Sequence, residues 1–269
     1  MSTIPPDIAP LVSDLLPLCK ALGTGAYAVS IGGSYGKSTF DPASDLDFRL
    51  FCERRLGPAE AYEQAYSRLQ LAVDRWADRG FTVDGCWVRL IDEVNQEIDR
   101  WTEGQAEPEN IVWTIWGYHL LTDVYNQMVI DDPHGILSGW RAKLATYPPK
   151  LKRALLDRHL ASLRYWRQDY HYRHKVERSD AVFLAGLTSK LVHDMLQVLF
   201  ALNETYFPGD GNTLRYVETF EYVPSGFIRR VEAALYPGTG SHSFHQQYEQ
   251  VTTLIDDVET LITAGTHAM

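Results

Sequence analysis

The stretch from Ala26 to Phe51 constrains this chain more than any other. The apolar run Ala26 to Ile31 reads as a buried strand. It stops at Gly32-Gly33-Ser34, where small residues let backbone come close to a ligand. A short polar segment leads from Tyr35 to Ser44, and Asp45-Leu46-Asp47-Phe48-Arg49-Leu50-Phe51 then alternates. A period of two places Asp45 and Asp47 on one face of a strand, with Leu46 and Phe48 on the other. Two carboxylates side by side repel, so stability alone does not account for them. A hard divalent cation removes the conflict, because Mg²⁺ takes oxygen ligands, commonly one or two carboxylates together with substrate phosphates. A glycine-rich turn beside that pair would present backbone N–H groups to phosphate. The two halves together predict a metal–nucleotide site.

This pattern resembles the signature of the DNA polymerase β-like nucleotidyltransferase superfamily: an apolar strand, Gly-Ser, a gap, then Asp-x-Asp in a second strand. Gly33-Ser34 matches the first half and Asp45-Leu46-Asp47 the second, with Ser44 before the pair. Gly36 falls where small antibiotic-modifying members tend to carry a second glycine. The match covers about a tenth of the chain. The resemblance implies an α+β protein, with a small mixed-sheet catalytic domain followed by an all-helical acceptor-side domain. It also implies Mg²⁺-dependent transfer of a nucleoside monophosphate from an NTP, with ATP the first choice, to a hydroxyl of a small-molecule acceptor, releasing pyrophosphate. On that basis Gly32, Gly33 and Ser34 hold phosphates, and Asp45 and Asp47 hold the metal. Lys37 and Lys190 are further candidate phosphate contacts. A module that binds nucleotide without transferring it, and an enzyme acting on protein or RNA ends, are the alternatives.

The superfamily usually adds a third carboxylate on the strand after the first post-signature helix. The helix here spans Pro58 to Arg79 and the next strand begins near Phe81, so Asp84 is the only acid inside it. An Asp is disfavoured in an apolar strand unless something compensates it, and metal would do so. Glu97, Asp92 and Asp99 rank below it, and Asp131-Asp132 is a fallback. The competing reading of Asp84-Gly85 is a hairpin tip.

Two decoys overlap the signature. Gly36-Lys37-Ser38 copies the end of a P-loop, but the glycine that motif needs five positions earlier is replaced by Ile31. Gly23-Thr24-Gly25-Ala26-Tyr27-Ala28 fits a dinucleotide fingerprint, yet it follows a helical pattern and opens a strand, so Gly23 reads as a helix C-cap.

A net charge of -10 argues against a partner as long and anionic as nucleic acid. Cys19, Cys52 and Cys86 are widely spaced, which fits buried thiols in a reduced, cytoplasmic protein rather than a disulfide framework or zinc site. No signal peptide is visible in Met1 to Pro10 and no apolar run of spanning length appears, so no membrane partner is expected. A homodimer remains compatible with this composition.

Ile8, Leu11, Val12, Leu15, Cys19 and Leu22 recur at threes and fours and predict a first helix, with Pro17 kinking or shortening it. Asp92 opens another helix with Val94, Ile98 and Trp101 inward; Ile111 to Leu121 reads as helical, and Gln127 to Ile130 as a fourth strand. After Pro148-Pro149 nearly everything has helical period, which sets the expected domains at 1–148 and 149–269. Leu155, His159, Leu163, Trp166 and Tyr170 form one stripe; Phe183, Leu187, Leu191, Met195 and Leu199 form another. Phe207 to Asn212 is a loop, and helices near Phe227 to Ala234 and Phe244 to Ile262 finish the chain. Most tryptophans are expected in the core, with one or two lining an acceptor pocket.

Overall fold

The computed structural model describes residues 4–211, 213–238 and 243–266. The chain divides into two compact units, residues 1–101 with 119–146 and residues 102–118 with 147–269. The first unit mixes helices with a four-stranded sheet, and the second is helical, so the protein is α+β. Segment 102–118 belongs with the helices that follow residue 147.

In the first unit, α1 (Ala9–Lys20) precedes β1 (Gly23–Ile31), a one-turn helix α2 (Gly33–Gly36) and β2 (Leu46–Arg55). Then come α3 (Ala59–Ala77), β3 (Val83–Leu90), α4 (Ile91–Thr102), α5 (Leu120–Tyr125), β4 (Met128–Asp131) and α6 (Ile136–Leu144). The strand order is β3-β2-β1-β4; β1 runs antiparallel to both β2 and β4, and β2 runs parallel to β3. A parallel neighbour needs a crossover, and α3 supplies it.

The apolar periods are realised in one core. Ile8, Leu11, Leu15 and Cys19 of the first helical pattern pack with Val29 and Ile31 of β1, Leu46, Phe48 and Leu50 of β2, and Leu69, Val73 and Trp76 of α3. Each fully buried aliphatic or aromatic side chain contributes about 1.5–3 kcal/mol. Pro17 sits inside α1 without ending it. Trp76 donates its indole N–H to Asp14 at 2.9 Å, tying α3 to α1.

In the second unit, α7 (Pro149–Gln168), α8 (Tyr170–Glu177) and α9 (Ala181–Leu202) are followed by α10 (Thr213–Val217), α11 (Phe227–Leu235) and α12 (Ser243–Thr266). By length and composition α9 alone among the described helices would suit a membrane, but Leu184, Leu191, Met195, Val198 and Leu199 are buried in this unit's core. Its hydropathy goes with burial, since every residue from Asp194 to Ala201 is buried.

Three sequence expectations need correcting. Ile111 to Leu121 is not a helix: Glu109 bridges Tyr118, Gly117 has φ +85°, and α5 starts only at Leu120. Trp113 is exposed there, while Trp76, Trp101 and Trp140 are buried. Gly23 caps no helix. α1 ends at Ala21, and Gly23 opens β1 where a Cβ would stand 2.7 Å from Cys52 Cβ, so close strand packing is what demands glycine. Tyr170 leaves the α7 stripe, because Asp169 separates α7 from α8 and the ring is exposed. Asn212, placed by sequence in the Phe207 loop, lies outside the described residues.

Candidate functional site

The end of β1 turns directly into α2. The Gly32 N–H donates to the Asp47 carbonyl at 2.9 Å, seating the glycine pair against β2. Gly33 has φ +55°, and a Cβ there would overlap the Asp47 carboxylate. At Gly32 a Cβ would stand 3.0 Å from Asp123 Oδ1 and 3.4 Å from Arg49 Nε. The two glycines therefore lie directly against ionisable groups. Gly36 has a different cause, since a Cβ there would overlap the Asn126 carbonyl.

Ser34 lies in α2, and its hydroxyl oxygen is buried with no hydrogen-bond partner among the described residues. A buried polar atom left unpaired costs about 1–3 kcal/mol. Lys37 is half-exposed at the C-cap of α2.

β2 begins at Leu46, one residue later than the alternation predicts, so Asp45 is exposed just before the strand and Asp47 is half-buried within it. Leu46 and Phe48 point into the core as expected. Burial pushes the Asp47 carboxyl above its ordinary range. Arg49, whose Nη1 is 3.7 Å from Asp47 Oδ1, opposes that, and Asp45, Asp123 and Asp84 each push it further up. The net direction is upward, so the carboxylates and the low-dielectric surroundings outweigh one guanidinium.

Asp84 sits in β3, and Asp84-Gly85 is not a hairpin tip. Leu46 pairs with Val83 and Phe48 with Cys86, leaving Asp84 and Gly85 opposite the single residue Asp47. This is a β-bulge, with Gly85 at φ +82°. Bulges re-aim side chains at sheet ends. The alternative acids are engaged elsewhere. Glu97 pairs with Arg100 at 2.7 Å, Asp99 pairs with Lys143, and Asp131 takes Lys20 at 2.9 Å. Asp132 accepts from the Ile136 and Ser138 N–H groups at the start of α6, and Asp92 occupies the first turn of α4.

Sequence reasoning missed Asp123. Its side chain on α5 accepts from Gln127 Nε2 at 2.9 Å and faces Arg49 Nε at 3.4 Å. Gln127 in turn accepts from the buried Ser30 hydroxyl at 2.7 Å. The available signal was an acid four residues before a glutamine on a short apolar helix. Arg49 also lies over the Trp87 ring, 5.1 Å from its centroid.

Among the described residues, no three His, Cys, Asp or Glu side chains converge into a ready metal cage. The donor chemistry around Asp47 nevertheless fits a hard cation. It offers only carboxylate oxygens, and Mg²⁺ is commonly held by one or two of these with phosphate and water completing the shell. An upward-shifted Asp47 is also the group whose charge such a cation would relieve.

Lys190 lies in the helical unit, where its ammonium donates to Asp194 Oδ2 and Ser162 Oγ, each at 2.6 Å. Ser162 Oγ also donates to Asp194 Oδ2 at 2.7 Å, and His159 Nδ1 meets Asp194 Oδ1 at 2.7 Å. Burial works to raise the Asp194 carboxyl, but His159, Lys190 and Ser162 outweigh it and hold it below its usual range. The Ser162 hydroxyl and the Lys190 ammonium both donate to Asp194, so both are committed to this carboxylate.

His193, next on α9, is pushed down to about 4 by burial, with His159 and Lys190 adding to the effect and Asp194 opposing it. A histidine depressed when folded makes the unfolded chain bind more protons between that value and its ordinary 6.5. Its contribution to stability is therefore complete above about pH 6.5 and is lost as pH falls toward about 4. Urea unfolding at pH 7 and 4.5 should show His193→Asn losing about 2 kcal/mol less than the wild type across this window. Equal losses in the two proteins would show that His193 titrates normally.

The profile of a domain of unknown function, DUF4037, matches residues 113–211, a little over a third of the chain. That span starts after the Gly-Ser and Asp-x-Asp stretch and takes in Asp123, α7 to α9 and the loop reaching Gly211. No curated protein matches the chain.

Proposed function

We propose that this protein is a Mg²⁺-dependent nucleotidyltransferase that moves a nucleoside monophosphate from an NTP, ATP first, to a hydroxyl of a small-molecule acceptor. The observation that carries this reading is the left-handed turn at Gly33 lying against Asp47, with the unpartnered Ser34 hydroxyl beside it. Gly32 and Gly33 let the phosphate chain approach backbone, and Ser34 supplies a donor to it. Asp45, Asp47 and Asp84 are the oxygen donors that would hold Mg²⁺, which neutralises charge developing on the transferred phosphoryl group. Arg49, anchored by Asp123, keeps the Asp47 carboxylate oriented. In the reaction the acceptor oxygen bonds to the α-phosphorus, the bond from that phosphorus to the β-phosphate bridge breaks, and pyrophosphate leaves. The acceptor's proton passes to a base.

The test is pyrophosphate release from ATP with Mg²⁺ and a panel of hydroxyl-bearing acceptors, repeated with chelator. Release that needs both metal and acceptor supports the proposal. ATP binding without release under any condition supports the second reading, a nucleotide-binding module. One observation favours that module: Arg49 already places a positive charge 3.7 Å from Asp47, and a binding site needs no more.

Ser34→Ala should weaken ATP-analogue binding about fivefold by calorimetry, the loss of one hydrogen bond. It should leave the melting temperature level or slightly higher, because an unpaired buried hydroxyl is removed. Unchanged affinity with lower stability would mean the hydroxyl serves the fold.

A further inference from the structure

The helical unit holds a cleft of about 220 Å³, walled by α9, α10, α11 and two loops. Val192 and Leu196 of α9 and Val231 and Leu235 of α11 form its apolar floor. The loop carrying Trp116 and the loop carrying Phe207 and Asp210 form its sides. Asp210 staples these loops together, since its carboxylate accepts from the Ile115 N–H at 2.6 Å and the Trp116 N–H at 3.3 Å. Trp116 lies flat on the His193 ring, with centroids 4.2 Å apart and planes 8° apart, and Phe207 meets His193 edge-on at 5.3 Å.

We propose that this cleft binds a small organic amine with an apolar, ring-sized body. Three features set that chemistry. The walls are apolar and aromatic, as in sites that enclose most of a small ligand. Asp210 gives the cleft a full negative charge, and among the described residues no lysine or arginine lines the cleft or pairs with that carboxylate. Two backbone donors satisfy its hydrogen bonding but leave its charge unneutralised. The aromatic rings of Trp116 and Phe207 line the cleft, and aromatic rings attract a cation but not an anion. His193 adds no competing charge, because burial keeps it neutral at pH 7, and its Nδ1 is buried without a partner among the described residues. The span shared with the domain family, 113–211, contains both loops and all of α9, so it carries most of this cleft. The site uses residues of the helical unit alone and stands whether or not the protein transfers nucleotides.

Ligand-observed NMR on the full chain at pH 7.5 can compare phenethylamine, 2-phenylethanol and phenylacetate, which share a ring and differ in charge. The amine should bind about tenfold more tightly than the alcohol, and the acid should not bind. Raising salt should weaken the amine and leave the alcohol unchanged. Asp210→Asn removes the charge and keeps an oxygen acceptor for one of the two stapled N–H groups, and should bring the amine down to the affinity of the alcohol. Trp116→Leu should weaken both. Equal binding of amine and alcohol to the wild type, no binding of either, or an amine preference that survives Asp210→Asn would each overturn the proposal. The wild-type comparison and its salt dependence decide the matter even if a variant fails to fold.

Discussion

Gly33→Val should melt on the order of 10 °C below the wild type and lose ATP-analogue binding altogether. Two independent costs meet at this position. The backbone holds φ +55°, a region that a β-branched residue occupies only under strain of about 1–3 kcal/mol. A Cβ would also overlap the Asp47 carboxylate, so either the strand or the turn must shift, at a further cost of about 1–3 kcal/mol. Together they remove several kcal/mol, and in a protein of this size each kcal/mol lowers the melting temperature by about 2–4 °C. The binding loss follows because the same displacement moves Ser34 and Asp47 apart. Calorimetric melting and titration with an ATP analogue check both halves. A variant that melts like the wild type would mean the turn is not held against Asp47. A destabilised variant with undiminished binding would send the phosphates elsewhere, with Lys37 and Lys190 the next residues to test. Gly36→Ala is the control: it should destabilise through the Asn126 carbonyl but spare much of the residual nucleotide affinity in whatever fraction stays folded.

Asp47→Asn should lower metal-dependent transfer by at least about a hundredfold while making the metal-free protein more stable at neutral pH. The stability half follows from linkage. The folded Asp47 carboxyl lies above its ordinary value, so the native state holds its proton more tightly than the unfolded chain does. Stability therefore falls as pH rises through the interval between those two values, and at pH 7 the ionised group is a net burden. Asparagine removes the charge and keeps the shape, so the variant should be the more stable of the two at neutral pH. Adding Mg²⁺ should raise the melting temperature of the wild type and leave that of the variant unchanged. The activity half rests on the proposed role as a metal-holding carboxylate. Asp45→Asn should reduce transfer with a smaller effect on stability, since Asp45 is exposed. Loss of stability in Asp47→Asn would favour a structural partnership with Arg49. Retained transfer in both variants would remove these carboxylates from the proposed site.

Much of the α+β architecture could be read along the chain because it rests on local period. Leu46 and Phe48 alternate with Asp47, and Leu69, Val73 and Trp76 recur at helical spacing, so each element's buried face is written in its own residues. The turn after Ile31 and the strand carrying Asp47 were legible for the same reason, since small residues ending an apolar run and acids inside an alternating one are anomalies that need no neighbour to be noticed. The segment 111–118 failed because its aromatic spacing imitates a helix, whereas Asp210, far away in sequence, captures its N–H groups and holds it as a loop. Asp123 was missed because an acid four residues before a glutamine is too common a local pattern to mark a site. Its meaning arises only when Gly32, just after β1, and Arg49 of β2 arrive beside it, with Gln127 following α5. By itself, then, the sequence determined most of the elements and their inward faces, which depend on residues within a few positions of one another. Only tertiary structure decided that Asp84 sits at a bulge opposite Asp47, that Asp194 gathers His159, Ser162 and Lys190, and that Trp116 lies on His193. Those arrangements depend on long-range contacts, whose partners are chosen by packing and charge after the elements have formed.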